Sequence, residues 1–397
     1  MKIAIISSRF PFPLDKGDKL RLFHQIKQLA SHHEIILISL SDESVDPLAI
    51  RTLEPYCKKI HVFRLSRMHV LVNLLKGLSR GLPAQVAYFF NKGIGKAIQK
   101  ILQQENPDHL YCQLIRTAEY GKPYAGNKTL DYMDCFHLSM LKRAGHAGPG
   151  MSRLWMVESR RLKQYERDIY PYFHNHTIIS NPDREAMDLG PDLPVTVIPN
   201  GLDPDYFEQT GLLQKDIDLL FLGNLGYFSN QLAVRFLLFD ILPLIKDIKS
   251  LRVTIAGAHP GRRMRKWVDQ NPQVELIADP PDTRMVYQRA RLFVAPVFAG
   301  TGQQNKILEA LASGCTVLCT PDVQKALDIP SPGFIQVAVS AQDFATQIRA
   351  SLEANEDTGG RSTATRTYLL EHFSWEKSTS SLEALLTRNV REVKSGQ

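Results

Sequence analysis

The stretch Gly300-Thr301-Gly302-Gln303-Gln304-Asn305-Lys306-Ile307-Leu308-Glu309-Ala310-Leu311-Ala312-Ser313-Gly314 decides how the chain reads. A glycine-bearing turn runs into a segment of helical spacing that sets Lys306 and Glu309 one turn apart. An apolar run, Arg291 to Pro296, precedes it, and another, Cys315 to Cys319, follows at once. Strand, loop, helix and strand in that order imply a parallel sheet with crossover helices. Polar residues gather at the start of the helix, where exposed backbone N–H groups and the helix dipole favour an anion such as a phosphate. Lys306 adds charge to that end.

The same succession opens the chain. A strand is expected at Ile3–Ile6, a loop from Ser7 to Asp18, a helix from about Lys19 to Ser31 and a second strand at Glu34–Leu40. Further strands are expected at 61–65, 109–112, 129–133 and 177–180, with helices over 94–104 and 152–170. Pro199, Gly201 and Pro204 then break regular structure. The pattern restarts with a strand at Ile217–Leu222, a glycine-containing loop, a helix over 231–246, strands at 252–256 and 274–277, and a helix over 283–290. The expected fold class is therefore α/β, with two Rossmann-like doubly wound domains facing across a cleft. The expected domains are 1–205 and 206–377, with a C-terminal helix over about 378–397 crossing back to the first. Ligands of such sheets bind outside the carboxyl ends of the strands.

At 397 residues, with 44% apolar and 22% charged side chains, the chain is long enough for two cores. Its N-terminus has an apolar run too short for a signal peptide and reads as a first buried strand. No run reaches the roughly 20 apolar residues that cross a bilayer. Phe236–Ile245 comes nearest, and Asp240 and Pro243 interrupt it. The five cysteines, Cys57, Cys112, Cys135, Cys315 and Cys319, include no C-x-x-C pair and read as buried free thiols. The net charge of +7 is unevenly placed. From Pro55 to Gln104 there is no acidic residue, while Lys58, Lys59, Arg64, Arg67, Lys76, Arg80, Lys92, Lys96 and Lys100 alternate with apolar ones. That pattern suits an anionic membrane surface, and the competing reading is a solvated helix face. No compact recognition motif accompanies the charge, so nucleic acid is not an expected partner. The expected location is cytoplasmic, with a peripheral place on the inner face of the plasma membrane.

Three segments point the same way: Gly300–Gly314, the turn Phe221-Leu-Gly-Asn-Leu-Gly-Tyr227, and Ile198-Pro-Asn-Gly-Leu-Asp-Pro-Asp-Tyr-Phe207. Together they resemble the family 4 glycosyltransferases of the B-type fold. The opening Arg9-Phe-Pro-Phe-Pro-Leu-Asp-Lys-Gly-Asp18 and Asp131-Tyr-Met-Asp134 are similar to a bacterial sugar transferase subgroup associated with exopolysaccharide and PEP-CTERM gene clusters. The resemblance implies a retaining enzyme that moves a sugar from a nucleotide-diphosphate donor to a saccharide acceptor, lipid-linked in that subgroup. It implies no metal and no cofactor beyond the donor as co-substrate. It implies that Gly223, Asn224, Thr301, Gly302, Gln304 and Asn305 line the donor, that Lys306 meets its phosphates and that Glu309 takes the ribose hydroxyls. Gly17, Lys16, Arg9, Asp134 and His137 fall on the acceptor side. Thr301 stands where the family has a glutamate, and Asn224 where it has an arginine; Arg9, Lys16 or Arg262 are the available substitutes for that cation.

Other residues have blander readings. Asp131 ends a strand and caps a turn, and a lone His137 is more often structural. Asp203-Pro-Asp205 and Asp216-Ile-Asp218 imitate metal-binding spacing but sit where carboxylates cap or are solvated. Two alternatives to a transferase remain open. One is a degenerate nucleotide-sugar-binding or scaffolding protein, suggested by Thr301 and Asn224. The other, a nicotinamide oxidoreductase, is disfavoured because no G-x-G-x-x-G follows Ile3–Ile6.

Overall fold

The computed structural model describes all residues except 67–69, 75–76, 78–80, 209–213, 332, 355–358 and 396–397. The chain forms two compact units, Met1–Gly201 with Trp375–Gln397, and Leu202–Ser374. The divisions therefore fall a few residues before the expected 205 and 377. The reason is a backbone tie: Leu202 donates its N–H to the carbonyl of Phe373 at 2.7 Å and bridges Ser374, which draws residues 202–205 into the second unit.

Each unit is built on one parallel sheet. The first holds β1 (Lys2–Ser7), β2 (Glu34–Ser41), β3 (Lys59–Arg64), β4 (His109–Gln113), β5 (Lys128–Met133), β6 (Asn175–Ile178) and β7 (Thr196–Val197), in the order β3-β2-β1-β4-β5-β6-β7. The second holds β8 (Ile217–Leu222), β9 (Val253–Gly257), β10 (Val274–Ala278), β11 (Ala290–Ala295), β12 (Thr316–Cys319) and β13 (Ile335–Val337), in the order β10-β9-β8-β11-β12-β13. Both are Rossmann orders, and the winding reverses between β1 and β4 and again between β8 and β11.

In the first sheet the two-residue period of a strand sorts apolar side chains to opposite faces. Ile3, Ile5, Ile35, Leu37 and Tyr111 pack on one side with Leu22 and Ile26 of the helix Gly17–Leu29. Ala4, Ile6, Ile36, Ile38, Leu110, Cys112 and Leu130 pack on the other. The C-terminal helix Trp375–Ser395 joins the first face through Leu382 and Leu386, four residues apart and both fully buried. Burying each contributes about 2 kcal/mol. At its start Trp375 stacks on the His24 ring, 4.5 Å between centroids.

Beneath the helix Gly17–Leu29 lies a fully buried ion pair. Arg21 Nε donates to Asp131 Oδ2 at 2.8 Å, and its Nη1 donates to the Ile198 carbonyl and to Asn200 Oδ1, both at 2.9 Å. The Tyr111 hydroxyl donates to the same carboxylate at 2.7 Å and the Thr177 hydroxyl to its other oxygen at 2.9 Å. Asp131 makes the turn contact expected of it, accepting the N–H of Met133 at 3.1 Å, and is also the hub that joins β4, β5, β6 and the segment leaving the unit.

The second unit differs from expectation in one element. The helix foreseen over 231–246 starts at Phe228, is α-helical only to Phe236, passes through a π turn at Leu237–Ile241, and ends in a 3-10 turn at Leu242–Ile245 that holds Pro243. Proline cannot donate within a helix, and π turns mark such interruptions. The run of 18 residues Phe228–Ile245 is long and apolar enough to cross a membrane by length and composition, more than the sequence reading allowed. Its Ala233, Val234, Leu237, Leu238, Ile241, Leu242 and Ile245 belong to the second unit's core. All five cysteines are free and buried.

Replacing Arg21 by alanine strands the buried Asp131 charge and should lower the stability of the first unit by about 3–5 kcal/mol. Chemical unfolding of the full chain measures this; an unchanged transition would show the pair to be dispensable.

Candidate functional site

Three loops, those after β8, β9 and β11, meet at the carboxyl edge of the second sheet, around the point where β8 and β11 part. Gly223 follows β8 directly. Its carbonyl oxygen lies where a side chain on Gly257, the last residue of β9, would begin: a Cβ there would fall 1.7 Å from that oxygen. Gly257 also has φ +144°. Two strand ends therefore touch backbone to backbone, which glycine alone permits. A Cβ on Gly223 would lie 3.0 Å from Asn230 Nδ2 and 3.6 Å from Lys306 Cδ.

Asn224 forms a turn. Its Oδ1 accepts the N–H of Gly226 at 3.0 Å, and its carbonyl accepts Asn230 Nδ2 at 2.8 Å. Beyond β11, Gly302 is buried at φ +70°, and Gln304 donates its side-chain amide to the Thr301 carbonyl at 3.1 Å. Gln304 precedes the helix Asn305–Ala312 without capping it from its side chain. Thr301 and Asn305 are half-buried.

Lys306, 8% exposed, points into this edge. Its Nζ donates to Asn230 Oδ1 at 2.5 Å and lies 4.9 Å from the centre of the Phe221 ring. Among the described residues no carboxylate forms an ion pair with it. Burial lowers its ammonium to about 7, and only the field of Glu309 opposes that. Glu309 is half-buried and accepts the Tyr287 hydroxyl at 3.0 Å. Burial raises its carboxyl to about 7, against the Tyr287 hydrogen bond and the Lys306 charge. Asn230 is the bridge: one amide binds the Asn224 carbonyl and the Lys306 ammonium, which fixes its orientation because each contact needs a different end of the group.

The structure thus brings Gly223, Asn224, Lys306 and Glu309 to one sheet edge with the Thr301–Asn305 loop. Sequence reading missed Gly257, Asn230 and Tyr287. Asn230 was the accessible one, since it lies in the first turn of the helix after the Gly223 loop. Arg262, a substitute considered for the absent arginine, is exposed on the helix Arg262–Asp269. The two D-x-D segments are occupied otherwise. Asp203 accepts the N–H of Asp205, Asp205 pairs with Arg284 at 3.0 Å, Asp216 with Arg289 at 2.7 Å, and Asp218 accepts the N–H of Arg252 at 2.9 Å.

In the first unit, Arg9 Nη1 donates to Asp18 Oδ2 at 2.7 Å. Lys16 precedes the helix that Gly17 begins, and a Cβ on Gly17 would meet only Met133 Cε, at 3.6 Å. Nothing in the unit itself requires glycine there. Asp134 follows β5 and Met133, whose φ is +61°. Burial and the charges of Asp183, Asp131 and Asp18 raise the Asp134 carboxyl to about 8. His137 is buried: its Nδ1 lies 2.6 Å from Glu166 Oε2, and its carbonyl accepts the Ser159 hydroxyl at 2.8 Å. Cys135 Sγ is 3.3 and 3.9 Å from its two ring nitrogens, which sets the sulfur over the ring rather than along a nitrogen lone pair. This cluster ties two helices together and is poorly aimed for a metal ion.

Residues 216–354 match the family model described as glycosyl transferases group 1. No curated protein matches the chain. Among solved structures, sucrose-phosphate synthase from Thermosynechococcus elongatus is similar with a TM-score of 0.73, 15% identity and 100% of both chains covered. A glycosyltransferase from Rickettsia africae gives 0.64 at 13% identity, over 98% of this chain and 99% of that one. Anabaena HepE in complex with UDP-glucose gives 0.65 at 13% identity, over 100% of both. The chain has the glycosyltransferase B fold. The family match lies within the second unit and contains Gly223, Asn230, Gly257, Lys306 and Glu309.

The backbone contact at Gly257 can be isolated with a control. Gly333 has a similar φ, +148°, with nothing within 4 Å of an added Cβ. Gly257→Ala should destabilise the second unit more than Gly333→Ala does, by about 1–3 kcal/mol. Equal losses in thermal unfolding would mean that the contact with Gly223 carries no constraint.

Proposed function

We propose that the chain transfers a sugar, with retention, from a nucleotide-diphosphate sugar to a hydroxyl of a saccharide acceptor. The family match, the fold, and fold neighbours solved with UDP and with UDP-glucose support the donor class. The observation that carries the reading is the buried Lys306 ammonium, held by an amide oxygen and an aromatic ring at the point where the sheet reverses. A cation desolvated without a counter-charge is a site for an anion.

In this reading the diphosphate lies against Lys306 and the backbone of Gly302–Asn305. Gly223 and Gly257 leave room for its oxygens. The Glu309 carboxylate, oriented by Tyr287, accepts both ribose hydroxyls. The bond between the sugar C1 and the phosphate oxygen breaks, and the electron pair leaves with the diphosphate. The acceptor oxygen bonds to C1 on the same face and gives its proton to the departing phosphate oxygen. Lys306 stabilises the charge that grows there, a role a metal ion fills elsewhere. Acceptor binding is assigned to the first unit, at Arg9, Lys16 and Asp134. The acceptor is proposed to be a lipid-linked saccharide of exopolysaccharide assembly, met at the cytoplasmic face of the membrane.

A thermal-shift screen of nucleotide sugars tests the donor class, because a ligand that binds only the folded state raises its stability. A donor that shifts the melting point but is never turned over with any acceptor, or hydrolysed, would favour the binding-protein alternative. Lys306→Met should lower kcat/KM by about 10²–10³; undiminished turnover would remove the lysine from the mechanism.

The pH dependence has two limbs. A bound diphosphate raises the Lys306 pKa above its free value near 7, so binding takes up a proton. Donor affinity is then full below that value and falls as pH rises through it. Glu309, near 7 in the free protein, must be ionised to accept from the ribose, so affinity also falls as pH drops. The wild type should bind its donor best close to pH 7, and Lys306→Met should lose the alkaline limb alone. Retention of that limb in the variant would assign it to another group.

A further inference from the structure

Two features of the sequence lie outside the reaction as derived so far: the basic stretch 55–104 and the segment Ile198–Phe207. In the first, Lys58 and Lys59 are paired with Glu34 and Glu105 at 2.6 and 2.5 Å, and Arg67, Lys76 and Arg80 lie outside the described residues. The second reaches the donor edge. We propose that Tyr206, in the turn Pro204–Phe207, is a positioning residue that, together with Tyr287, aims the Glu309 carboxylate at the ribose of a nucleotide. The segment with which the second unit begins then takes part in recognising the donor. The inference rests on the reading above and deepens it.

The segment is fastened to one helix. Asp203 accepts the Asp205 N–H at 3.1 Å and so caps the turn. Asp205 then pairs with Arg284 at 3.0 Å, the Tyr206 hydroxyl shares a hydrogen bond with the Thr283 hydroxyl at 2.9 Å, and the Glu208 carbonyl accepts the Gln288 side-chain amide at 2.9 Å. All three partners belong to the helix Thr283–Gln288, which also carries Tyr287. Tyr287 is fully buried, and its hydroxyl donates to Glu309 Oε2 at 3.0 Å.

Tyr206 meets the ring of Tyr287 edge-on, 6.2 Å between centres at 67°. Phe293 meets the same ring at 5.5 Å. A ring held by two aromatic neighbours keeps one rotamer, and its hydroxyl keeps one direction. A carboxylate that receives a ribose diol must present both oxygens to the two hydroxyls. The bond from Tyr287 fixes that plane, and Oε2 keeps a second lone pair for the ligand.

The segment also sets the charge around Glu309. Burial raises this carboxyl; the Tyr287 hydrogen bond and the Lys306 charge lower it, Asp203 raises it, and the Tyr206 hydroxyl lowers it. The influence is mutual, since burial and then the Glu309 charge raise the Tyr206 phenol. Asp203 and Tyr206 lie three residues apart and act on Glu309 in opposite senses. A residue that only anchored the chain would need the Thr283 bond alone. Tyr206 also packs on Tyr287 and responds to Glu309.

The test uses the full chain with UDP, GDP and ADP, each beside its 2′,3′-dideoxy analogue, with affinities from titration calorimetry. For the pair that binds, the wild type should favour the ribose form. Tyr206→Phe and Tyr287→Phe keep the rings and remove the hydroxyls. Each should cut that preference by about three- to tenfold, the worth of one hydrogen bond, and leave the dideoxy affinity within about twofold. Carbon-13 NMR of the Glu309 carboxyl, assigned through Glu309→Gln, follows its titration in the free protein. Both tyrosine variants should move that titration to higher pH. Asp203→Asn retains an oxygen for the Asp205 cap and should move it to lower pH. Equal loss of ribose and dideoxy binding, or a titration unmoved by Tyr206→Phe and Asp203→Asn, overturns the proposal and leaves Tyr206 an anchor. A ribose preference present in the wild type and unchanged in both tyrosine variants condemns the positioning role and spares the donor reading. No nucleotide bound by the wild type, with the three titrations moving as stated, condemns the donor reading and spares the hold of the segment on Glu309.

Discussion

Lys306 is held in apolar surroundings by an amide oxygen and an aromatic face, and the polar edge of the second unit is arranged around that contact. Such a group has three ways to lower its free energy: lose its proton, gain a carboxylate partner, or meet an anion from solvent. The first is visible in its lowered pKa. The second is absent among the described ion pairs, although Glu309 lies one turn away. Asn230 cannot neutralise the charge. It can only orient it, while its other end holds the Gly223–Leu225 turn in place. The glycine contact between β8 and β9 keeps that turn low. A packed side chain at either glycine would lift the loop and close the space above the ammonium.

The first unit has the same strand order and a different electrostatic solution. Its most buried cation, Arg21, has a carboxylate, a carbonyl and a side-chain amide as partners, so it serves architecture rather than binding. Nearer the strand ends, Arg9 is matched with Asp18, and burial, together with crowding by like charges, favours the neutral form of Asp134. A neutral carboxyl donates a hydrogen bond where a carboxylate can only accept. That character suits hydroxyl-bearing ligands better than a diphosphate. The contrast between the two sheets, more than their shared winding, separates donor from acceptor in the proposed reaction.

Much of this was legible because buried parallel strands write themselves as apolar runs. The bounds Ile217–Leu222 were read from the sequence as they stand in the structure. β7 and β13, two and three residues long, are too short to show a period and were not foreseen. The helix after Gly223 was read as continuous because its apolar spacing hides the π turn, which keeps the buried face turned inward up to Pro243. Lys306 and Glu309 could be singled out because a glycine turn and a helix start lie beside them in sequence. Gly257, Tyr287 and the Arg21–Asp131 pair could not, since their meaning lies in partners far along the chain: 34, 22 and 110 residues away.

The two departures from the resembled family acquire different physical meanings. Asn224 stands in place of an arginine, and its side chain closes a turn on Gly226 while its carbonyl receives Asn230. A guanidinium has no acceptor and could not make that turn. Exchanging arginine for asparagine therefore removes a cation and adds rigidity to the loop beside the remaining one. Under a diphosphate, a fixed single charge can hold the transition state as well as two mobile ones, provided that it is already desolvated and needs no reorganisation. Lys306 meets that condition through Asn230, so the asparagine at 224 and the burial of the lysine form one adaptation. Thr301 lies in the loop that Gln304 pins through its carbonyl. A hydroxyl there in place of a carboxylate leaves less negative charge in the loop before Lys306, so in the proposed reaction one acid fewer competes with the phosphates for the ammonium.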